Sequence, residues 1–466
     1  MQENFNRQFT YFICMVSAMG GLLFGYDWVV IGGAKPFYEL YFDISNAPLL
    51  QGVAMSTALV GCLCGAMCAG GIADRYGRKP LLVASAFLFT LSAVTTGWFN
   101  SFIGFNLARF IGGVGIGVAS ALSPLYIAEI SPSSIRGRLV SLNQMTIVLG
   151  ILCAQIVNWQ LAEPIPVGFT DQQILASWNG QIGWRWMFWA ETIPAASFLI
   201  LSCFIPESPR WQAMNKRQKE AVQTWTSIGG ADYADEQIQN LQASLTTVSS
   251  KSESGALRQL RPVLFLGIFI AVFQQWCGTN VIFNYAEEIF SAAGYSVGEV
   301  LFNIVITGVA NVVFTIVALN TVDRWGRRSL MLFGAGSLAV IYLLLGGCYF
   351  FQLKGMLLVI LVVLAIGCYA MSLGPVTWVL ISELFPNRVR GLAVAICTFA
   401  LWTACTILTF TFPTLNATLG SSGTFWIYAA ICIVGFLFFL RRLPETKGKS
   451  LEEIEKEMIQ STDTRE

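Results

Sequence analysis

Histidine is absent from this chain, and charged residues make up only 12% of it. The absence of histidine excludes the side chain that most often serves as a general acid–base group and metal ligand. Soluble domains carry roughly 25% charged residues, so a chain of 466 residues with so few charges has too little polar surface for a soluble body. The net charge of +1 gives no indication of a nucleic-acid partner.

Metal-site and nucleotide-binding patterns are also missing. The 12 cysteines fall within or at the ends of apolar runs without metal-site spacing, so we interpret them as small packing residues. The glycine-rich run 112–117 lies inside an apolar segment with no strand before it, which indicates helix packing rather than a phosphate-binding loop. The sequence therefore indicates neither an enzyme nor a cofactor.

Long apolar segments dominate what is present. Crossing a bilayer as a helix takes about 20 apolar residues. Twelve segments reach that length, six on each side of a polar stretch, at 9–31, 50–72, 80–99, 102–127, 139–161, 184–205, 262–286, 298–320, 329–351, 355–381, 391–413 and 424–440. They predict an all-α membrane protein.

Basic residues lie mainly on one side of these segments. If residue 1 is cytoplasmic, all of the 28 Lys and Arg except Lys35, Arg109, Arg185 and Lys354 fall on cytoplasmic segments. Because positive charge is retained on the cytoplasmic side, this bias predicts that both termini are cytoplasmic.

Three charged signatures occur twice, once in each set of six segments. The run 74–79 (DRYGRK) recurs at 323–328 (DRWGRR), Glu129 and Glu383 each precede an Arg-Gly pair, and 206–210 (PESPR) resembles 444–448 (PETKG). Duplicated halves are typical of carriers that alternate access. We predict twelve transmembrane helices in two pseudo-symmetric six-helix bundles: an N-terminal bundle at 1–205, a cytoplasmic connector with short helices at 206–261, a C-terminal bundle at 262–441 and a cytoplasmic tail at 442–466.

The repeated loops contain carboxylates, which contribute little to membrane orientation. Opposite charges at helix ends can hold two bundles together on the inner side if the pairs stay weak enough to break. Orientation by positive charge explains any single basic residue equally well. We predict an inner latch made of Asp74, Arg75, Glu129, Arg136, Glu191, Arg324, Glu383 and Arg390.

Together these motifs resemble the major facilitator superfamily and, within it, the sugar porter family. Further matching stretches are 109–113 (RFIGG), 183–185 (GWR), Gln274-Gln275 with Asn280, and 374–378 (GPVTW), so the resemblance covers essentially the whole chain. It implies a multi-pass protein of the plasma membrane (the inner membrane of a bacterium) that works as a monomer in the lipid bilayer. It also implies a monosaccharide substrate moved together with a proton.

Two charges stand inside predicted spans. Asp27 lies 18 residues from the inner start of the first segment and Arg109 lies 7 from the outer start of the fourth, so both are in the outer half and can meet. One interpretation is a static ion pair; the other is a proton switch in which Asp27 titrates as its environment changes. In the sugar porters an Asp at this position is typical of proton symporters, whereas passive facilitators tend to carry Asn.

A sugar needs neutral amides and an aromatic surface. Intramembrane amides can also bond helices together, so each single amide has two interpretations. The adjacent Gln274-Gln275 favour a ligand site, and their irregular spacing from Asn280 predicts local unwinding near Gly278. By resemblance, the positions that surround the sugar are Phe24, Gln144, Gln274, Gln275, Asn280, Asn311, Gly374 and Trp378, with Trp402 near the inner side.

The chain departs from the family pattern at four positions. Leu401 and Cys405 replace common Gln or Asn, Asn284 replaces Tyr, and Glu287 replaces Pro. The sugar can therefore be a pentose, a deoxysugar, another hexose or an inositol. A passive uniporter is the main alternative function. A sugar sensor is a weaker one, because only about 25 residues follow the last segment.

Overall fold

The computed structural model describes residues 5–132, 134–166, 169–247, 260–292, 294–353, 355–385, 390–445 and 447. Within these ranges the regular elements are helices, as predicted. The first eight are α1 (Arg7–Tyr41), α2 (Pro48–Tyr76), α3 (Arg78–Trp98), α4 (Phe102–Ile130), α5 (Arg136–Leu161), α6 (Asp171–Ala176), α7 (Trp184–Ala190) and α8 (Thr192–Ser202), with a π-helical turn at Asn179–Gly183 before α7.

Short helices follow in the connector, as predicted, and then the second set of spans begins. The connector contains α9 (Pro209–Met214), α10 (Gln218–Gly229) and α11 (Ala231–Thr247). The remaining helices are α12 (Arg261–Trp276), α13 (Thr279–Asn284), α14 (Ala286–Ala292), α15 (Val297–Trp325), α16 (Arg327–Phe350), α17 (Met356–Met371), α18 (Leu373–Glu383) and α19 (Arg390–Arg442). The predicted tail lies outside the described residues from 448 onward.

Ten helical stretches in the described chain are long and apolar enough to cross a membrane. The count differs from the twelve predicted segments for two reasons. The predicted sixth segment is divided into α7 and α8 by a turn at Glu191. The last two predicted segments are two helices that meet at Gly420, whose backbone is not helical (φ 68°), and they are counted together as α19. Both differences concern helix continuity, and both predicted regions are helical.

The seventh and tenth spans are also interrupted. The seventh breaks at Gly278, whose left-handed backbone (φ 88°) few other residues adopt readily, which confirms the predicted unwinding. The tenth breaks at Ser372, two residues before the predicted Gly374-Pro375 break. Pro375 instead sits in the first turn of α18, where a missing amide hydrogen costs nothing.

Spatial contacts divide the chain into two compact units. The first contains Met1–Val30, Thr57–Ala154 and Arg185–Ser250. The second contains Ile31–Ser56, Gln155–Trp184 and Lys251–Glu466. The unit boundaries cut α1, α2 and α5, unlike the predicted boundaries, which follow chain order; the six-plus-six division at 205 stays a prediction.

Small residues allow close helix packing in the first unit. A side chain at Gly113 or Gly117 of α4 would meet backbone carbonyls of α2, at Ala58 and Cys62 respectively. The glycine-rich run is therefore a packing surface inside a helix, as predicted. In the second unit, α19 packs along α12 and α16.

Candidate functional site

A buried ion pair joins α1 and α4 in the first unit. An Arg109 guanidinium nitrogen contacts Asp27 Oδ1, and Nη2 donates to the Asp27 carbonyl at 3.1 Å. Both residues are 2% exposed, and the guanidinium carbon stands 5.5 Å from the centre of the Phe188 ring. The depths read from the sequence correctly predicted that the two charges meet.

Glu191 belongs to this buried group. It lies at the turn between α7 and α8, is 2% exposed, and interacts electrostatically with Asp27 and Arg109. That Glu191 is part of the inner latch stays a prediction; in the structure the broken sixth span carries its carboxylate into the first unit's core. Two carboxylates thus lie near one guanidinium away from water: Asp27 contacts it, and Glu191 interacts with it electrostatically.

The first charged loop closes around Arg78, which begins α3. Its Nε and Nη2 atoms donate to the two carboxylate oxygens of Glu129, each at 3.0 Å. Nη1 contacts Asp74 at 3.1 Å, and Ser208 donates to Glu129 at 2.5 Å. Glu207 accepts the Arg78 backbone N–H at 2.9 Å. The two-point contact fixes the orientation of both side chains.

The second charged loop repeats this arrangement in the second unit. Arg327 Nη2 donates to Glu383 at 3.0 Å, and Glu445 accepts the Arg327 backbone N–H at 2.9 Å. Gly77 and Gly326, which precede the two arginines, have φ of 107° and 86°. A side chain at either glycine would meet the carboxylate of Glu207 or Glu445. Glycine is therefore required at this position of each repeat for two reasons: the positive φ and the lack of space for a side chain.

Two arginines outside the predicted latch hold its carboxylates, and the role of the predicted arginines in a latch stays a prediction. Arg78 and Arg327 hold Glu129 and Glu383, whereas Arg75 stacks on Tyr76 at 5.3 Å. Arg136 donates weakly to the Ser131 carbonyl at 3.5 Å, and the Arg324 carbonyl accepts from Lys447. Arg390 begins α19, and its side chain lies outside the described residues. Sequence reasoning overlooked Glu207 and Glu445, although their repeated motifs had been recognised.

Four polar side chains of the second unit form a chain of hydrogen bonds. Asn280 donates to Gln275, Gln275 donates to Gln274 at 2.5 Å, and Gln274 donates to the Tyr369 hydroxyl at 2.5 Å. The break at Gly278 turns Asn280 toward Gln275. Three predicted sugar ligands are therefore brought together, and Tyr369 is a residue that the prediction overlooked. The signal for it in the sequence was a phenol in the otherwise apolar helix α17.

Gly374 and Trp378 follow Tyr369 on the broken tenth span. A side chain at Gly374 would stand 3.3 Å from the Tyr369 ring, so glycine leaves room for that ring. Trp378 is 39% exposed, whereas Trp402 is buried at 3%. Asn311 lies on a buried polar stripe of α15 with Asn303, Thr307 and Thr315.

Phe24 and Gln144, the other two predicted ligands, belong to the first unit and are half-buried. Phe24 packs edge-on against Trp28 at 5.6 Å. Gln155 lies about three turns beyond Gln144 on the same face of α5. It is 2% exposed, and neither of its amide atoms finds a hydrogen-bond partner in the part of the chain that the structure describes.

The departures on α19 leave an apolar surface where an amide is common. Leu401 and Cys405 are 1% and 0% exposed. Asn284 is 4% exposed, and its backbone carbonyl lies against Gly32. In the described part of the chain, no group of three or more carboxylates and cysteines could hold a metal ion.

Interrupted spans, intramembrane charges and twofold charged loops together define a helical membrane carrier. A family model described as "Sugar (and other) transporter" matches residues 13–458. The chain belongs to this family, the sugar porters of the major facilitator superfamily, whose members transport solutes rather than catalyse reactions.

Relatives and a solved structure agree over nearly the full length. The D-xylose-proton symporter of Escherichia coli is 36% identical, covering 98% of this chain and 97% of its own. The arabinose-proton symporter of Bacillus subtilis is 36% identical (96% and 95%), and the glucose facilitated diffusion protein of Zymomonas mobilis is 34% identical (95% and 96%). The inward-open xylose transporter XylE of E. coli matches with a TM-score of 0.84 at 35% identity, covering 96% and 99%.

These matches confirm the predicted fold class, an all-α membrane protein with twelve transmembrane helices in two pseudo-symmetric six-helix bundles. They also confirm transport, and not catalysis, as the general activity.

Proposed function

We propose that this protein is a proton-coupled symporter that carries a neutral monosaccharide inward by alternating access. The observation that carries the proposal is the group formed by Asp27, Arg109 and Glu191. Two carboxylates face a single guanidinium, all nearly without solvent exposure. The names of two relatives, a D-xylose-proton and an arabinose-proton symporter, support the same function.

Charge balance explains why this group suits proton coupling. With both carboxylates ionised the group carries a net negative charge, which is costly in a low-dielectric interior. One bound proton makes it neutral. A movement of Arg109 or an entry of water changes which protonation state is favoured, because burial and the neighbouring charge set the affinity for the proton. Proton binding and bundle movement are thereby linked.

The amide chain supplies the sugar site of the second unit. Gln274, Gln275 and Asn280 offer both donors and acceptors without net charge, which matches the hydroxyl groups of a sugar. Tyr369 and the break at Gly278 fix their orientation, and the exposed indole of Trp378 offers a surface to an apolar sugar face. We infer that Phe24, Gln144, Asn311, Gly374 and Trp402 complete the contacts.

The two charged loops would act as the inner latch. Each loop is already held within its own unit, by Arg78 with Glu129 and by Arg327 with Glu383. We infer that the remaining exposed arginines, Arg75, Arg136 and Arg324, engage when the cytoplasmic side closes. We also infer that both termini are cytoplasmic and that the protein works as a monomer in the lipid bilayer of a bacterial inner membrane.

A passive uniporter is the second candidate. It is favoured by the relative named a glucose facilitated diffusion protein, at 34% identity. The buried Asp27 favours symport over uniport, since a uniporter has no need of an ionisable group at this depth.

Uptake into proteoliposomes tests the proposal. The panel contains labelled xylose, arabinose, galactose, glucose and inositol, each with and without an inward proton gradient. We expect accumulation above equilibrium of at least one sugar only when the gradient is present. Equal final levels in both conditions for every transported sugar would establish the uniporter instead.

A further inference from the structure

A lysine is buried near the C-terminal end of α1. Lys35 is 2% exposed, and its ammonium group contacts the carboxylates of Glu39, at 3.2 Å, and of Glu288 on α14. The same ammonium lies 5.7 Å from the centre of the Tyr285 ring. These residues all belong to the second unit and take no part in the amide chain or in the charged loops.

Amides from two further helices complete this cluster. Gln51, near the start of α2, donates to Glu39 at 3.2 Å, and Asn416 of α19 donates to Glu288 at 3.2 Å. Four helix segments are therefore joined by one network of charged and amide groups. We call Lys35, Glu39, Glu288, Gln51 and Asn416 the Lys35 cluster.

The surrounding backbone is packed closely, and Lys35, Glu39 and Gln51 are buried, whereas the Glu288 side chain is 20% exposed. A side chain at Gly32 would meet the Asn284 carbonyl, and one at Gly52 would meet the Phe410 carbonyl. Glu287, which departs from the family pattern, is adjacent to Glu288 and accepts a hydrogen bond from Ser291 at 2.9 Å. Lys35 therefore places one positive charge among three nearby carboxylates.

Buried ion pairs respond sharply to hydration. Separating a dry pair leaves uncompensated charges, whereas water can replace each partner once the site is wet. The segments bearing the Lys35 cluster can therefore separate only as water enters between them. Such a cluster keeps an entrance closed while it is dry, and its ion pairs separate when the entrance opens.

We propose that the Lys35 cluster is the outer gate lock of this carrier, holding α1 and α2 against α14 and α19 until the outer entrance opens. The proposal rests on the proposed function for the direction of transport. It assigns Lys35, Glu39 and Glu288 a gating role separate from binding the sugar or the coupling proton.

Hydrogen–deuterium exchange on the full-length protein in nanodiscs, without sugar, tests the lock. In Lys35→Met we expect the backbone of 42–52 and 286–292 to exchange at least about threefold faster, while the segments around Arg78 and Arg327 stay unchanged. Lys35→Arg, which keeps the charge, should restore slow exchange. Lys219→Met, at an exposed lysine of α10, is the matched control.

A double variant separates loss of the lock from misfolding of Lys35→Met. Lys35→Met leaves buried carboxylates unpaired, so Lys35→Met/Glu288→Gln removes a charge from each side. If the two residues form one lock, the double variant should exchange no faster than Lys35→Met alone. Unchanged exchange in both variants, or an equal increase throughout the molecule, would contradict the lock. Because no sugar is needed, this result does not depend on whether the proposed symport is correct.

Discussion

At the scale of single residues, the unequal charge of the Asp27 group is the main functional feature. Arg109 is a single guanidinium near two buried carboxylates, and Asp27 Oδ2 lacks a hydrogen-bond partner in the described chain. The group therefore contains one more carboxylate than guanidinium, and the proposed proton coupling rests on this imbalance.

Asp27→Asn should separate proton coupling from sugar movement. The amide cannot ionise, so we expect uphill accumulation to fall to the equilibrium level while counterflow exchange of the same sugar persists. Both are measured in proteoliposomes with a labelled sugar. Asp171→Asn, at an exposed acid in the first turn of α6, is the control and should behave as wild type. Accumulation that survives in Asp27→Asn would assign coupling to another group.

Tyr369→Phe should weaken sugar binding without loss of the fold. The variant removes the hydroxyl that accepts the Gln274 amide at 2.5 Å, so the amide chain loses its fixed end. A lost hydrogen bond of about 1 kcal/mol corresponds to a roughly three- to tenfold higher Kd for the transported sugar. Isothermal titration measures Kd, and Tyr11→Phe, at an exposed position, is the control. An unchanged Kd would remove Tyr369 from the sugar site.

At the scale of helices and loops, the two halves use the same junction. Gly77 and Gly326 each end one span and precede the arginine that begins the next, and Glu207 and Glu445 cap the same backbone position. The repeat of geometry follows the repeat of sequence. It explains why the glycine, the arginine and the distant glutamate occur together.

Gly77→Ala and Gly326→Ala should lower stability to a similar extent. Each adds a side chain at positive φ and against a carboxylate, so we expect a loss of about 1–2 kcal/mol in each variant. Thermal unfolding in detergent measures it as a lower Tm. Gly137→Ala, in the first turn of α5 with open space around it, is the control and should be neutral or slightly stabilising. A much larger effect in one half than in the other would contradict equivalent junctions.

Sequence periodicity and charge predicted the helical segments well, because membrane spans need long apolar runs whatever their partners. The breaks were harder. The irregular spacing of the amides predicted the break at Gly278, whereas the turn at Glu191 and the break at Ser372 depend on packing between helices. The same limit explains why the burial of Glu191 beside Asp27 was not predicted and why Tyr369 was overlooked, since both depend on contacts distant in sequence.

The arginines of the latch show a related limit. Arg75 and Arg78 lie in the same loop, and the sequence does not show which of them pairs with Glu129. The folded loop brings Arg78 to Glu129 and leaves Arg75 on Tyr76. The Lys35 cluster was also beyond reach, because it joins residues from α1 and α14 that lie 253 positions apart.

At the scale of the whole molecule, alternating access requires interactions that hold one side closed and break when it opens. The charged loops are the candidates for holding the cytoplasmic side closed, and the Lys35 cluster is the candidate for holding the outer side closed. The balance between the two sets decides which side is open at rest.

Glu383→Gln should favour the inward-open state by weakening the cytoplasmic latch. Arg327 loses its charged partner at 3.0 Å, so the loop is held less firmly. We expect hydrogen–deuterium exchange at least about twofold faster at the cytoplasmic ends of α15 and α16, and Glu129→Gln should do the same for α2 and α3. Glu236→Gln, at an exposed position of α11, is the control. No change in either half would mean that these pairs are structural only.

Sugar-driven proton movement tests the central claim most directly. Proteoliposomes containing a trapped pH-sensitive dye, with no initial gradient, are given the sugar that the uptake panel identifies. Symport through the Asp27 group predicts acidification of the vesicle interior that follows sugar entry and is absent in Asp27→Asn. Sugar entry at the same rate without any change in internal pH would contradict the account.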